Sequence, residues 1–154
     1  MSSDLWNFSL ELYARPGVEQ SCLSLQQAGA SVCLLLCGLW LERRGVACEE
    51  QRVQQLCRLA LPWDLQVVQP LRALRTQWKA GALQDAALSS LREQVKTLEL
   101  AAERQLLERL ETAAGRWPEG QHEAAAQWLH RLAQNTAPPS HDALHQLRAL
   151  AFDT

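Results

Sequence analysis

Val32-Cys-Leu-Leu-Leu-Cys-Gly-Leu-Trp-Leu41 is a ten-residue run without a charge, and its one strong hydrogen-bonding side chain is the indole of Trp40. Ser31 before it suits an N-cap, since a serine oxygen accepts from the free N–H groups of a first turn. Arg43, Arg44 and Gly45 close the run, with cations near the negative end of a helix dipole and a glycine free to turn left-handed. The stretch is apolar on every side, which predicts a helix buried all round. A bilayer span needs about 20 apolar residues. This is therefore a core helix, and the remaining chain has to wrap it.

The chain has 154 residues, which predicts one domain, 1–154, able to bury roughly 68–70% of its unfolded surface. Apolar and charged fractions of 47% and 21% belong to an ordinary soluble globular protein. A net charge of −2 supplies no global field to recruit nucleic acid or an anionic membrane. Asp4 and Glu11 stand where a secretion signal would be basic and then apolar. The five cysteines are odd in number and scattered, which suits buried thiols in a reducing compartment better than disulfides. A cytoplasmic location is expected.

Outward from the central helix, spacings of three and four recur and no long alternation of apolar and polar residues suggests a strand. Asp4 is placed to cap a first helix, 5 to about 14, with Leu5, Trp6, Phe8, Leu12 and Tyr13 as its apolar positions. Arg15-Pro16-Gly17 breaks it, with the proline suited to the next first turn. Val18, Cys22 and Leu25 then share a face, until Ala28-Gly29-Ala30 turns the chain into the central helix. After Gly45 a helix with the stripe Val53, Leu56, Cys57 and Ala60 is expected to stop at Pro62. Asp64 would cap the following one, Trp63 stapling against Val68, with a kink or restart at Pro70 and an end near 79. The longest segment, about 84 to 114, places Leu88, Leu91, Val95, Leu98, Ala102, Leu106, Leu110 and Ala113 on one stripe. Its spacing drifts from the heptad to the straight-helix period, which favours a helix crossing a globular domain over a free coiled coil. Gly115 ends it, Trp117-Pro118-Glu119-Gly120 is a loop, and 123 to 134 is a helix carrying Trp128, Leu129 and Leu132. A Pro-Pro linker at 135–139 leads to a last helix, capped by Ser140 and docked through Leu144, Leu147 and Ala151.

The opening Trp6-x-Phe8-Ser9-Leu10-x-x-Tyr13-x-x-Pro16-Gly17-Val18 and the following Cys22-Leu23-x-Leu25-Gln26 resemble the start of an uncharacterised proteobacterial family of small helical proteins. Pro70-Leu71-Arg72-x-x-Arg75 and Val95-Lys96-x-x-Glu99-Leu100-x-x-Glu103 are similar to its later pattern. The resemblance covers about residues 5–110. It implies a small, helical, bacterial protein and carries over no activity and no catalytic residue.

Side chains that could carry chemistry have ordinary structural readings beside them. Cys33 and Cys37 share a helix face, but their neighbours are leucines and tryptophan. Thiolate metal sites use closer pairs with turn residues between them, so these thiols read as core. The six tryptophans each sit beside apolar positions and read as core, a ligand pocket among them being the alternative. His141 and His145 stand four apart without a third ligand, and read as solvated. No phosphate loop, nucleophile elbow or Cys–His signature occurs, so no catalytic residue, metal site or cofactor is assigned. The most informative polar pattern joins two helices. Between residues 52 and 79 five cations face one acid, and between 84 and 115 six acids face four cations. If the two helices pack antiparallel across Gly81, Arg72 and Arg75 can reach Glu99 or Glu103. The set Arg72, Arg75, Lys79, Glu99 and Glu103 is then either an ion-pair network that fixes register or a groove for an acidic or phosphate-bearing partner.

The sequence thus predicts an all-α protein, a single irregular bundle of seven to eight helices around residues 31–44. The expected role is a non-enzymatic cytoplasmic interaction or regulatory domain that offers a helical face to a protein partner or to its own copy. The alternative is a small-molecule-binding or enzymatic bundle with a pocket lined by Trp and Arg.

Overall fold

In the computed structural model, described here for residues 4–134 and 141–152, the described chain folds into helices joined by turns and short loops. In order come α1 (Asp4–Tyr13), α2 (Val18–Gln27), α3 (Val32–Arg44), α4 (Glu50–Trp63), α5 (Gln69–Gln77), α6 (Lys79–Ala82), α7 (Ala86–Ala114), α8 (His122–Ala125), α9 (Trp128–Gln134) and α10 (His141–Phe152). Eight of these have seven residues or more, and no strand occurs among the described residues. The fold is the all-α bundle that the sequence predicts. None of these helices is long and apolar enough to cross a membrane.

The central helix is α3, whose residues from Val32 to Leu41 are all buried. Ser31 caps it, its Oγ accepting from the Leu34 N–H at 3.4 Å. Gly45 ends it in the left-handed region at φ 72°. A side chain there would also strike His122, whose Cε1 lies 2.8 Å from the position of a Cβ. Gly38 is needed for a second close approach: Leu132 Cδ1 of α9 stands 3.0 Å from where its Cβ would be, and α9 is packed along α3. Around α3 a continuous apolar core draws on α1, α2, α4, the C-terminal half of α7, α9 and α10. Trp128 is fully buried, its Nε1 donating to the Val46 carbonyl at 2.6 Å.

Four details differ from the sequence reading. Asp4 does not cap α1 but lies in its first turn, where its carboxylate accepts from Trp40 Nε1 at 2.8 Å while Glu111 takes the Leu5 N–H. Pro16 precedes α2, and Gly17, left-handed at φ 87°, occupies its N-cap. Pro62 does not stop α4. The helix runs through it to Trp63 and continues into a π-helical turn, Asp64–Val68, before α5. A proline forfeits one backbone donor and crowds the carbonyl four residues back, and the wider turn between Pro62 and Pro70 gives the backbone room to continue. Trp63 Nε1 donates to the Ala102 carbonyl at 2.9 Å and Gln69 Nε2 to Asp64 at 2.7 Å, fastening both ends of that turn. Asp64 is consequently a buried acceptor within a helix, with no N-terminus to cap.

The fourth difference matters most. In the N-terminal half of α7 the more buried face is Leu88, Arg92, Val95, Glu99 and Ala102, whereas Leu91 and Leu98 are 49% and 56% exposed. Both stripes share Leu88, Val95 and Ala102. The register that wins is the one that brings Glu99 to the arginines of α5. At the other end, α10 lies on α2 with Leu144 and Leu147 buried. Arg148 Nη2 of α10 bonds Glu42 of α3 at 2.7 Å and the Ala126 carbonyl at 2.8 Å. The linker at 135–139, the Ser140 cap and the side chain of His141 lie outside the described residues.

Candidate functional site

α5 has no fully buried residue. Its amphipathic pattern ends in arginine where a core helix would carry leucine, so what joins it to α7 is largely polar. Arg75 Nε donates to Glu99 Oε1 at 2.5 Å and its Nη2 to Oε2 at 3.3 Å, while Arg72 Nε reaches Oε2 at 3.4 Å. Two parallel contacts from one guanidinium fix orientation as well as charge. Arg92 of α7 returns the clasp, donating through Nε to the Arg75 carbonyl at 2.8 Å. Gln26 of α2 completes it from the body side: with its amide oxygen turned inward it accepts from Arg72 Nη1 at 3.0 Å.

Of the residues singled out in the sequence, Arg72, Arg75 and Glu99 thus meet. Lys79 is exposed on α6 and has no ion pair with either glutamate. Glu103, one turn beyond Glu99, makes no ion pair within 4 Å among the described residues. It lines an open cleft of about 430 Å³ with Tyr13, Glu19, Leu23, Arg75 and Lys96. Burial first, and the charge of Glu99 second, push its carboxyl up to about 7, against the pull of Arg72 and Arg75. Burial also raises the Tyr13 hydroxyl and lifts the neighbouring Cys22 thiol to about 11. Cys33 and Cys37 are buried in α3 and their thiols are raised by desolvation, which leaves them unreactive. All five cysteines are free. Among the described residues no group of three His, Cys, Asp or Glu could hold a metal ion.

A larger cleft, about 710 Å³, lies elsewhere and is lined by Phe8, Trp40, Arg43, Arg44, Glu119 and His122 among others. Its arginines are already engaged. Arg44 stacks over Trp40 at 4.5 Å and pairs with Asp4 at 3.5 Å and with Glu119. Arg43 lies over Phe8 at 5.6 Å.

Exposed leucines concentrate between residues 65 and 100. Leu65, Leu74, Leu83, Leu91, Leu98 and Leu100 are six of the ten large apolar side chains that the described surface leaves open. Scattered leucines need no explanation. Leu91 and Leu98, however, are one heptad apart on one helix, with no element of the described structure over them. The sequence reading assigned both to the core and so missed this surface. Its signal was present as a second register, Ala87, Leu91, Gln94, Leu98 and Ala101, spaced 4, 3, 4 and 3.

Residues 4–110 match the model of a family described as Protein of unknown function (DUF2390). The matched segment runs from α1 to the last turns of α7 and includes both faces of the hairpin. No curated protein and no solved structure matches the chain.

Proposed function

We propose that this chain, which belongs to the DUF2390 family, is a cytoplasmic protein-interaction domain, not an enzyme, and that it docks through the outer face of α7. The observation that carries the reading is the exposure of Leu91 and Leu98 on a hairpin whose inner face is closed by an ion-pair clasp. An exposed apolar patch on a helix is what a partner helix or groove covers. In this reading Arg72, Arg75 and Glu99 are internal fasteners. Their charges are spent on one another, and an acidic partner would have to displace Glu99 to reach them. Five free thiols, four of them buried, support a reducing cytoplasmic setting. The pocket lined by Trp40, Arg43 and Arg44 is the runner-up, weakened by the engagement of Arg44 with Asp4 and Glu119.

A photo-crosslinking amino acid at position 91 or 98 tests the reading in the host cell. Discrete protein adducts are expected from those two positions and not from Leu10 or Leu23, exposed leucines on α1 and α2. Equal yields at all four positions, or none at 91 and 98, would remove the assignment.

A further inference from the structure

The cleft of about 430 Å³ where α1, α2 and α5 meet α7 stays negative after its ion pairs are taken out. Of the cations on its wall, Arg75 is bound to Glu99 and Lys96 to Glu93 at 3.1 Å. Glu19 and Glu103 line the same cleft, and neither has an ion pair among the described residues. Glu103 is the unusual one. Its carboxyl has lost most of its water, and no N–H or O–H donor among the described residues replaces it. A carboxyl in that condition ordinarily finds a donor, because desolvation without a partner is costly. The hydroxyl of Tyr13 is directed to the Cys22 thiol instead, which leaves the ring as that residue's offer to a ligand.

The charges that reach Glu103 are Glu99 on its own helix, Arg72 and Arg75 on α5, and Asp64 in the π-helical turn. Tyr13 and the Cys33 thiol of α3 are its other titratable neighbours. Both arginines are held by Glu99, so they do not keep Glu103 ionised, and it titrates at about 7. Leu23 and Leu100, both exposed, give the cleft apolar walls. An unpaired carboxyl, an aromatic ring and two leucines are what an ammonium group on a short aliphatic stem requires. The head gains a charge-assisted hydrogen bond, the ring attracts the cation, and the methylenes leave water. An anion would meet two unpaired glutamates and cations already engaged. A metal ion fits no better, since among the described residues no three ligands of the right kind converge.

We propose that this cleft binds an organic ammonium, with Glu103 taking the charged head, Tyr13 packed against it and Leu23 and Leu100 along its stem. The site is separate from the face that carries Leu91 and Leu98, and it stands or falls independently of the interaction reading. The test is a titration of isotope-labelled protein with n-butylammonium chloride at pH ~8, followed by amide NMR. Saturable shifts are expected at Tyr13, Leu23, Leu100 and Glu103, with a Kd on the order of 1 mM, as suits a ligand this small. The head must displace the proton of Glu103, so the apparent Kd should rise about tenfold at pH ~6. Glu103→Gln keeps the shape without the charge, and should weaken binding at pH ~8 by about tenfold or more and flatten the pH dependence. Glu123→Gln on α8 should change nothing, and n-butanol should not bind. Nα-acetyl-lysine methylamide presents the same head from a peptide. Tighter binding of it than of n-butylammonium assigns the natural head to a protein side chain, and the reverse assigns it to a free amine, either order supporting the site. Absence of saturation at pH ~8, binding that Glu103→Gln leaves unchanged, or equal binding of n-butanol overturns the proposal.

Discussion

Glu99 and Glu103 stand one turn apart on α7 and behave differently because only one of them has guanidinium partners. Glu99 is buried between Arg72 and Arg75, each of which keeps a quarter or so of its side chain in water. Glu99→Gln should therefore cost about 1–3 kcal/mol, below the figure for stranding a fully buried charge, because the arginines can resolvate in part. Replacing all three residues together (Arg72→Met, Arg75→Met, Glu99→Leu) should be closer to neutral, and urea melts of the two variants separate these outcomes. Glu103 has a folded-state pKa near 7, above the ordinary carboxyl value of about 4.3. Between those values the folded state binds more protons than the unfolded one, so this residue's contribution to stability falls as pH rises through that window. Glu103→Gln should thus be neutral at pH ~4 and stabilising by on the order of 1–3 kcal/mol at pH ~8. Denaturation at the two pH values checks the sign. Among the thiols, Cys48 alone is half-exposed, and a thiol reagent should label it before Cys33 and Cys37.

At the scale of elements, legibility followed the chemistry of each signal. The α3 segment was readable because a run without charge, a serine before it and a glycine after it all point the same way. Leu35→Ala or Leu39→Ala, each fully buried, should cost about 2–5 kcal/mol in urea melts. The α4–α5 connection was not readable. Pro62 is a local stop signal, and what overrides it is tertiary: Trp63 reaching the Ala102 carbonyl and Asp64 engaging Gln69. Of the candidate cluster, the charge segregation between residues 52–79 and 84–115 exposed Arg72, Arg75 and Glu99. Gln26 and the backbone contact of Arg92 were hidden, because neither a distant glutamine nor a carbonyl leaves a pattern in the sequence. The last helix was legible as an element but not in its attachment. Glu42 of α3 accepts from both the Leu129 N–H at 2.9 Å and Arg148. Arg148→Met should cost more than an exposed ion pair, about 1–3 kcal/mol, because Glu42 keeps its buried position with one partner fewer.

The whole molecule is an apolar body around α3 with a hairpin of α5, α6 and the first half of α7 fastened beside it. A single helix, α7, serves both parts: Leu106, Leu107 and Leu110 enter the body core, while Glu99 and Arg92 hold the hairpin. Its two overlapping heptad registers explain why periodicity alone chose the wrong face for Leu91 and Leu98. Leucines ordinarily win a core position over glutamate and arginine, and here the complementary arginines of α5 reverse that preference. The central claim is that the outer register belongs to no core of the single chain. Equilibrium urea denaturation of the Leu91→Gln, Leu98→Gln double variant, at dilutions where self-association makes no contribution, tests it most directly. The account predicts a loss within about 0.5 kcal/mol per site, as for surface positions, beside a Leu106→Ala control that loses about 2–5 kcal/mol. A loss comparable to that control at each leucine would place both side chains in the core and contradict the account.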